Sequence, residues 1–176
     1  MNSPDRLPTL VGANVTIRPV LVDELDDLIR VRTDPSVTQW WGTNFRREEL
    51  LKESLGDDPE VVLLLIEVDG VIAGGIEYHE ELDPEYQSAG IDIYLAERYQ
   101  GRGLGGEAVR LLARWLIYQR GFHRLTIDPA AANTRAIRAY SKVGFKPVGI
   151  MRQYERGSDG TYHDGLLMDI LASELK

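Results

Sequence analysis

The chain has 176 residues, of which 43% are hydrophobic and 27% charged, as expected for one soluble globular domain. Its net charge of −8 argues against sequence-independent nucleic-acid binding, and it suits either a cationic small molecule or solubility alone. The absence of cysteine excludes disulfides, thiolate metal sites and a cysteine nucleophile. No apolar run is long enough to span a membrane, and residues 1–10 lack the basic and apolar regions of a signal peptide. We therefore expect a cytoplasmic protein with no membrane partner.

We predict a loose N-terminal arm over residues 1–13 and a single domain over residues 14–176. Apolar and polar residues alternate from Asn14 to Pro19, which predicts a half-buried strand. Apolar residues at helical spacing then predict one helix capped by Asp23 and another over Arg46 to Leu55.

Trp40 and Trp41 lie between these two helices, in a segment that we predict to be a polar loop. A lone tryptophan usually packs against the core. Two neighbours cannot easily both face inward, so we expect one of them to line a pocket or an interface.

The middle of the chain reads as three strands. Val61–Val68 and Val71–His79 flank Asp69-Gly70, which predicts a hairpin. In the third strand, Ala89–Leu95, Asp92 lies on the face opposite the isoleucines.

The glycine-rich stretch Gln100–Gly106 follows and leads into a strongly amphipathic helix that begins at Leu104. Helix N-termini offer free N–H groups, and glycine allows close approach, so this stretch predicts a phosphate-binding loop. The glycines formally satisfy the dinucleotide pattern G-x-G-x-x-G, but Ala96–Gln100 separate them from the strand and too little chain follows for the remaining βα units. A P-loop is excluded because no Gly-Lys-Ser/Thr follows.

The remaining segments predict a strand over Phe122–Ile127, a helix capped by Asn133 and ended by Gly144, and a closing hairpin from Phe145 to Leu171. The order of elements, β-α-α-β-β-β-α-β-α-β-β, predicts a mixed α/β (α+β) domain.

The loop resembles motif A of the GCN5-related N-acetyltransferases, Gln/Arg-x-x-Gly-x-Gly/Ala, through Gln100, Gly103 and Gly105. Asn133 to Tyr140 resembles the later Asn-x-x-Ala-x-x-x-Tyr segment of that family. The resemblance implies a mostly antiparallel central sheet with splayed strands flanked by helices. It also implies acetyl-CoA as co-substrate, held without a metal by the backbone near Leu95, by Asn133 and Tyr140, and by the loop residues Gln100, Gly101, Arg102, Gly103, Leu104, Gly105 and Gly106.

A narrower resemblance is to the aminoglycoside 6′-N-acetyltransferases. It rests on Trp40-Trp41-Gly42, Gly90-Ile91-Asp92 and Asp128-Pro129. It implies direct attack by the 6′-amine of an aminoglycoside in a ternary complex, and hence antibiotic resistance.

Acetyl transfer to an amine needs a base that removes a proton, a donor that stabilises the oxyanion, and an acid for the leaving thiolate. Asp92 is the first candidate base, because aspartate is disfavoured in mid-strand and the resemblance places the family's catalytic residue there. Asp128 is the second candidate, although Asp before Pro is also a common turn pair. Tyr140 lies on the apolar stripe of its helix and, by resemblance, can also protonate the thiolate.

Further expected acceptor contacts are Trp40, Trp41, Glu77 and, in the last strand, Asp164. Glu77 could equally be a solvated strand residue. His79, His123 and His163 lack metal-ligand spacing and are expected to be solvated or packed.

Two other functions stay open. One is an acyltransferase of the same fold that acts on a protein N-terminus, a polyamine or a siderophore precursor. The other is a non-catalytic acyl-CoA-binding domain. The sequence is compatible with a monomer or a homodimer.

Overall fold

The computed structural model describes residues 7–58 and 60–175. Within them, the strands are β1 Leu10–Val11, β2 Thr16–Pro19, β3 Val61–Val68, β4 Val71–Glu81, β5 Ser88–Leu95, β6 Arg124–Ile127, β7 Lys146–Arg156 and β8 Tyr162–Leu171. The helices are α1 Leu25–Arg32, α2 Pro35–Trp41, α3 Arg47–Leu55, α4 Leu104–Tyr118 and α5 Thr134–Val143.

These strands form one sheet in the order β1-β2-β3-β4-β5-β6-β8-β7. All neighbouring strands run antiparallel except β5 and β6, which are parallel. The predicted mixed, mostly antiparallel sheet flanked by helices is therefore confirmed.

Apolar side chains cover both faces of the sheet, which explains the uninterrupted aliphatic run of β3. Leu64 and Ile66 belong to the cluster under α4 and α5, whereas Leu63 and Leu65 belong to the cluster under α1, α2 and α3. No helix of the described residues is long and apolar enough to cross a membrane.

The parallel pair β5–β6 opens soon after it begins. Its register is limited to Ala89 with Leu125 and Gly90 with Thr126, after which β5 continues to Leu95 without β6 beside it. The two strands are thus splayed, as predicted, and a crevice lies between them.

The structure differs from the sequence-based expectations at three places. Asp23, predicted to cap the first helix, lies inside a 3-10 turn over Val22–Glu24, and the N-cap residue of α1 is Glu24. The segment predicted as a polar loop around the tryptophans is helix α2, because Pro35 occupies its first turn and the Asp34 side chain accepts a hydrogen bond of 2.8 Å from the Ser36 N–H. Within the predicted loose arm, Leu10–Val11 pairs with β2, whereas residues 1–6 lie outside the described residues.

Candidate active site

The crevice between β5 and β6 has a volume of about 760 Å³. Residues from α2, β5, the glycine loop, the end of β6, α5 and β7 line it. Such a position, at the carboxyl ends of diverging parallel strands, is a common place for a ligand site.

The glycine loop turns sharply into α4. Gly101 and Gly103 have φ angles of 72° and 82°, and Gly103 is the N-cap of this 15-residue helix. A Cβ at either glycine would meet no atom within 4 Å, so the requirement for glycine is conformational and the space above the loop is open.

Five of the seven predicted loop residues line the crevice: Gln100, Gly101, Gly103, Gly105 and Gly106. Arg102 and Leu104 instead line a separate cleft that residues 12–16 and 67–70 complete. The crevice side of the loop is thus formed largely of backbone, as an anion site requires.

The Gln100 side chain ties several elements together. Its Nε2 donates to the Leu95 carbonyl at 2.7 Å and to Ser36 Oγ at 3.1 Å, and its Oε1 accepts a hydrogen bond from Arg135. Gln100 was predicted to bind the cofactor. In the structure its side chain holds β5, α2 and α5 against the loop.

The last residues of β5 present their backbone to the crevice. The Trp41 Nε1–H donates to the Ile93 carbonyl at 3.2 Å, and the Leu95 carbonyl accepts from Gln100. In an antiparallel strand the N–H and C=O of one residue point to the same side, so the amides of Ile93 and Leu95 also face away from β4 toward the crevice. The predicted oxyanion donor near Leu95 is therefore in a suitable place.

Asp92 and Asp128 both line the crevice, so the structure brings the two candidate bases together. Protein atoms crowd the Asp92 carboxyl, although 38% of its side-chain surface stays accessible from the crevice. This crowding, with the charges of Asp128 and Glu155, raises the pKa of Asp92 to about 7. Asp92 can therefore both accept and release a proton near neutral pH.

A third carboxylate, Glu155, was not predicted and also lines the crevice. Burial and the charge of Asp128 raise its pKa. Its neighbour Tyr154 hydrogen-bonds Asp128, and this bond is the main reason that the pKa of Tyr154 rises to about 12.

A bulge in β7 brings these two residues to the crevice. The register shifts between Met151 and Glu155, and Gln153 adopts a φ of 50°. The Gln153 N–H donates to the Asp164 carboxylate at 2.8 Å. Asp164, predicted to contact substrate, is not among the residues that line the crevice; it holds the bulge instead.

Glu77 lies directly opposite Asp92 in the β4–β5 register but does not line the crevice. Burial is the main reason that the pKa of Glu77 rises to about 8. The charges of Asp92 and Glu53 raise this pKa further, whereas the charge of Arg32 lowers it. Its position fits a carboxyl that influences Asp92 better than one that contacts the acceptor.

Trp40 and Trp41, both named above as acceptor contacts, line the crevice. Trp41 is fixed by its bond to β5, by an edge-on contact with Tyr94 (ring centroids 5.0 Å apart) and by the Arg32 guanidinium 4.8 Å from its ring centre. Arg32 also donates to the carbonyls of Trp41 and Gly42.

Tyr140 and Asn133 close the crevice from α5. Tyr140 is only 8% exposed, and burial raises its pKa above the ordinary value, so its hydroxyl stays protonated and can donate. The Asn133 Oδ1 accepts a hydrogen bond of 3.2 Å from the Ala136 N–H, which confirms the predicted helix cap.

Comparison with known proteins gives a family match and a shared fold. The model of the acetyltransferase (GNAT) family matches residues 25–145. A Klebsiella pneumoniae protein named aminoglycoside N(6′)-acetyltransferase type 1 is 30% identical over 154 residues, covering 77% of this chain and 76% of that protein.

A further relative, named SPbeta prophage-derived uncharacterized N-acetyltransferase YokL, of Bacillus subtilis, is 27% identical over 173 residues, covering 94% of each chain. The solved structure of Mycobacterium smegmatis RimJ in complex with CoA-disulfide superposes with a TM-score of 0.81 at 22% identity, covering 96% of this chain and 88% of that one. At that identity the likeness extends to the fold.

Proposed function

The chain belongs to the acetyltransferase (GNAT) family, and on that premise we propose that it transfers an acetyl group from acetyl-CoA to the 6′-amino group of an aminoglycoside. Family membership makes it an acyl-CoA-dependent N-acetyltransferase, as the sequence motifs indicated. The aminoglycoside assignment rests on one observation: three carboxylates, Asp92, Asp128 and Glu155, line one crevice beside two tryptophans. The Klebsiella pneumoniae relative named for this activity supports it.

The crevice fits the donor. The open, left-handed turn at Gly101 and Gly103 and the N-terminus of α4 offer N–H groups to a pyrophosphate. The outward-facing backbone of β5 at Leu95 and the α5 residue Asn133 suit the amide-bearing pantetheine arm. When bound, acetyl-CoA supplies the thioester acetyl group.

The opposite wall fits a polycation. Aminoglycosides carry several ammonium groups, and carboxylates crowded in a partly desolvated crevice attract them more strongly than exposed carboxylates would. Trp40 and Trp41 provide flat apolar surfaces for sugar rings. Glu155 and Asp128 bind the amines that do not react.

Asp92 removes the proton that prevents the 6′-ammonium group from attacking. Its pKa of about 7 keeps much of it ionised at neutral pH, so it attracts the ammonium and accepts the proton directly or through a water. The Leu95 N–H stabilises the negative charge that develops on the acetyl oxygen. The Tyr140 hydroxyl donates a proton to the departing sulfur.

A thiol-release assay with acetyl-CoA tests this function. The acceptors are pairs of aminoglycosides that differ only in carrying an amine or a hydroxyl at the 6′ position, together with spermidine and a peptide with a free N-terminus. We expect turnover only with the 6′-amino members, and NMR of the product should show acetylation at that nitrogen. Turnover of the polyamine or the peptide, with none of any aminoglycoside, would contradict the proposal.

A further inference from the structure

His79, which the sequence suggested to be merely solvated or packed, lines the crevice next to the candidate base. Its Nδ1 is 3.9 Å from the Asp92 Oδ2, a gap that a small ring movement or one water closes. Its side chain is 49% exposed. His79 therefore connects Asp92 with solvent.

The imidazole ring of His79 packs against a glycine of the neighbouring strand. His79 pairs with Gly90 in the β4–β5 register, and a Cβ at Gly90 would lie 2.0 Å from both Cε1 and Nε2 of the ring. Any side chain at this position would displace the imidazole. Gly90 precedes Asp92 by two residues, so one strand supplies both the carboxylate and the space for its neighbour.

The proposed reaction leaves a proton on Asp92, and this proton must reach the solvent. The acceptor enters as an ammonium ion and loses one proton to Asp92. The amine then forms the N–C bond as the C–S bond breaks. The Tyr140 hydroxyl gives its proton to the sulfur, and the second proton of the amine restores Tyr140. The products are an amide, a neutral thiol and one proton, so Asp92 must lose a proton to solvent in every turnover.

We propose that His79 carries this proton from Asp92 to solvent, a role that rests on the proposed N-acetyltransferase function. The ring accepts the proton on Nδ1, the nitrogen nearest Asp92, and releases one from Nε2. The other titratable or charged groups of this region are Glu77 on the same strand and, lining the crevice, Tyr94, Asp128, Arg135, Tyr140, Tyr154 and Glu155. Among the charged groups of the described residues, the Asp92 carboxylate is the one that lies within 4 Å of the ring.

The test compares His79→Gln with the wild type, using whichever amine the wild type acetylates best. Glutamine keeps hydrogen-bonding capacity but cannot carry a proton. We expect kcat to fall about tenfold or more, with little change in the KM of acetyl-CoA. His123→Gln, a change of the same type outside the crevice, should behave like the wild type.

Two further measurements separate proton transfer from a structural role. Imidazole in the buffer should restore the turnover of His79→Gln in proportion to its concentration and leave the wild type unchanged. Amine binding without acetyl-CoA should move the imidazole NMR signals of His79 but not those of His123. Gly90→Ala, which displaces the ring, should reproduce the imidazole dependence.

A His79→Gln enzyme with wild-type kcat from pH 6 to 9, or a loss of kcat that imidazole does not reverse in a folded protein, would overturn the proposal. Because the acceptor is chosen by wild-type turnover, a preference for polyamines would refute the aminoglycoside assignment while leaving the test of His79 intact.

Discussion

Replacing Asp92 by asparagine should remove the base while leaving the shape of the crevice unchanged. The pKa of about 7 means that roughly one Asp92 in eleven is ionised at pH 6 and ten in eleven at pH 8. Wild-type kcat/KM for the amine should therefore rise about tenfold over this interval, and Asp92→Asn should lose a factor of about 10² to 10⁴ at pH 8.

The assay is thiol release at saturating acetyl-CoA, measured from pH 6 to 9 for the wild type, Asp92→Asn and Glu85→Gln. Glu85 is an exposed loop carboxylate, so its amide variant controls for the change in net charge. A flat wild-type profile between pH 6 and 8, or an Asp92→Asn enzyme with more than about a third of wild-type activity at pH 8, would refute Asp92 as the base.

Two more predictions concern the neighbours of Asp92. Burial raises the pKa of Glu77 to about 8, so the folded state holds its proton more tightly than the unfolded state, and stability is lost as pH rises from about 4.5 to about 8. Glu77→Gln should therefore unfold at a higher temperature than the wild type at pH 8, by an amount worth about 1 to 2 kcal/mol, with no difference near pH 4. A lower Tm of the variant at pH 8 would mean that the attraction between the Glu77 and Arg32 charges outweighs the cost of burial. Tyr140→Phe should lower kcat about ten- to a hundredfold with an unchanged KM for acetyl-CoA, and full turnover by a folded variant would exclude the hydroxyl as the acid.

The donor side of the site was predictable from the sequence because its signals are local. Positive φ angles at Gly101 and Gly103, the cap at Asn133 and the alternation around Asp92 each depend on neighbours within a few residues. Resemblance then supplied the chemistry that these local signals do not specify.

The acceptor side was harder to predict because it depends on contacts between distant segments. Glu155 reaches the crevice through a bulge that Asp164 stabilises from the next strand, and no local pattern marks that shift of register. A proline is as typical of the end of a helix as of its first turn, so Pro35 did not identify the helix that carries both tryptophans. The position of His79 in the crevice could not be predicted from residue spacing, because the place of its ring depends on Gly90 in the neighbouring strand.

The two walls of the crevice differ in how far their residues belong to the hydrophobic core. The donor wall consists of β5 and α4, whose apolar residues belong to the core. The acceptor wall includes β7, an edge strand whose residues are exposed except for the half-buried Met151, and the family match stops one residue before it begins.

Substitutions at exposed positions usually change stability by less than about 0.5 kcal/mol, whereas substitutions in a core commonly change it by several times as much. In the proposed function, the strand β7 that contacts the amine can therefore accumulate changes that the buried strand β5 would not tolerate. In evolutionary terms, the proposed acceptor wall is a part of this sheet where substitutions cost little stability.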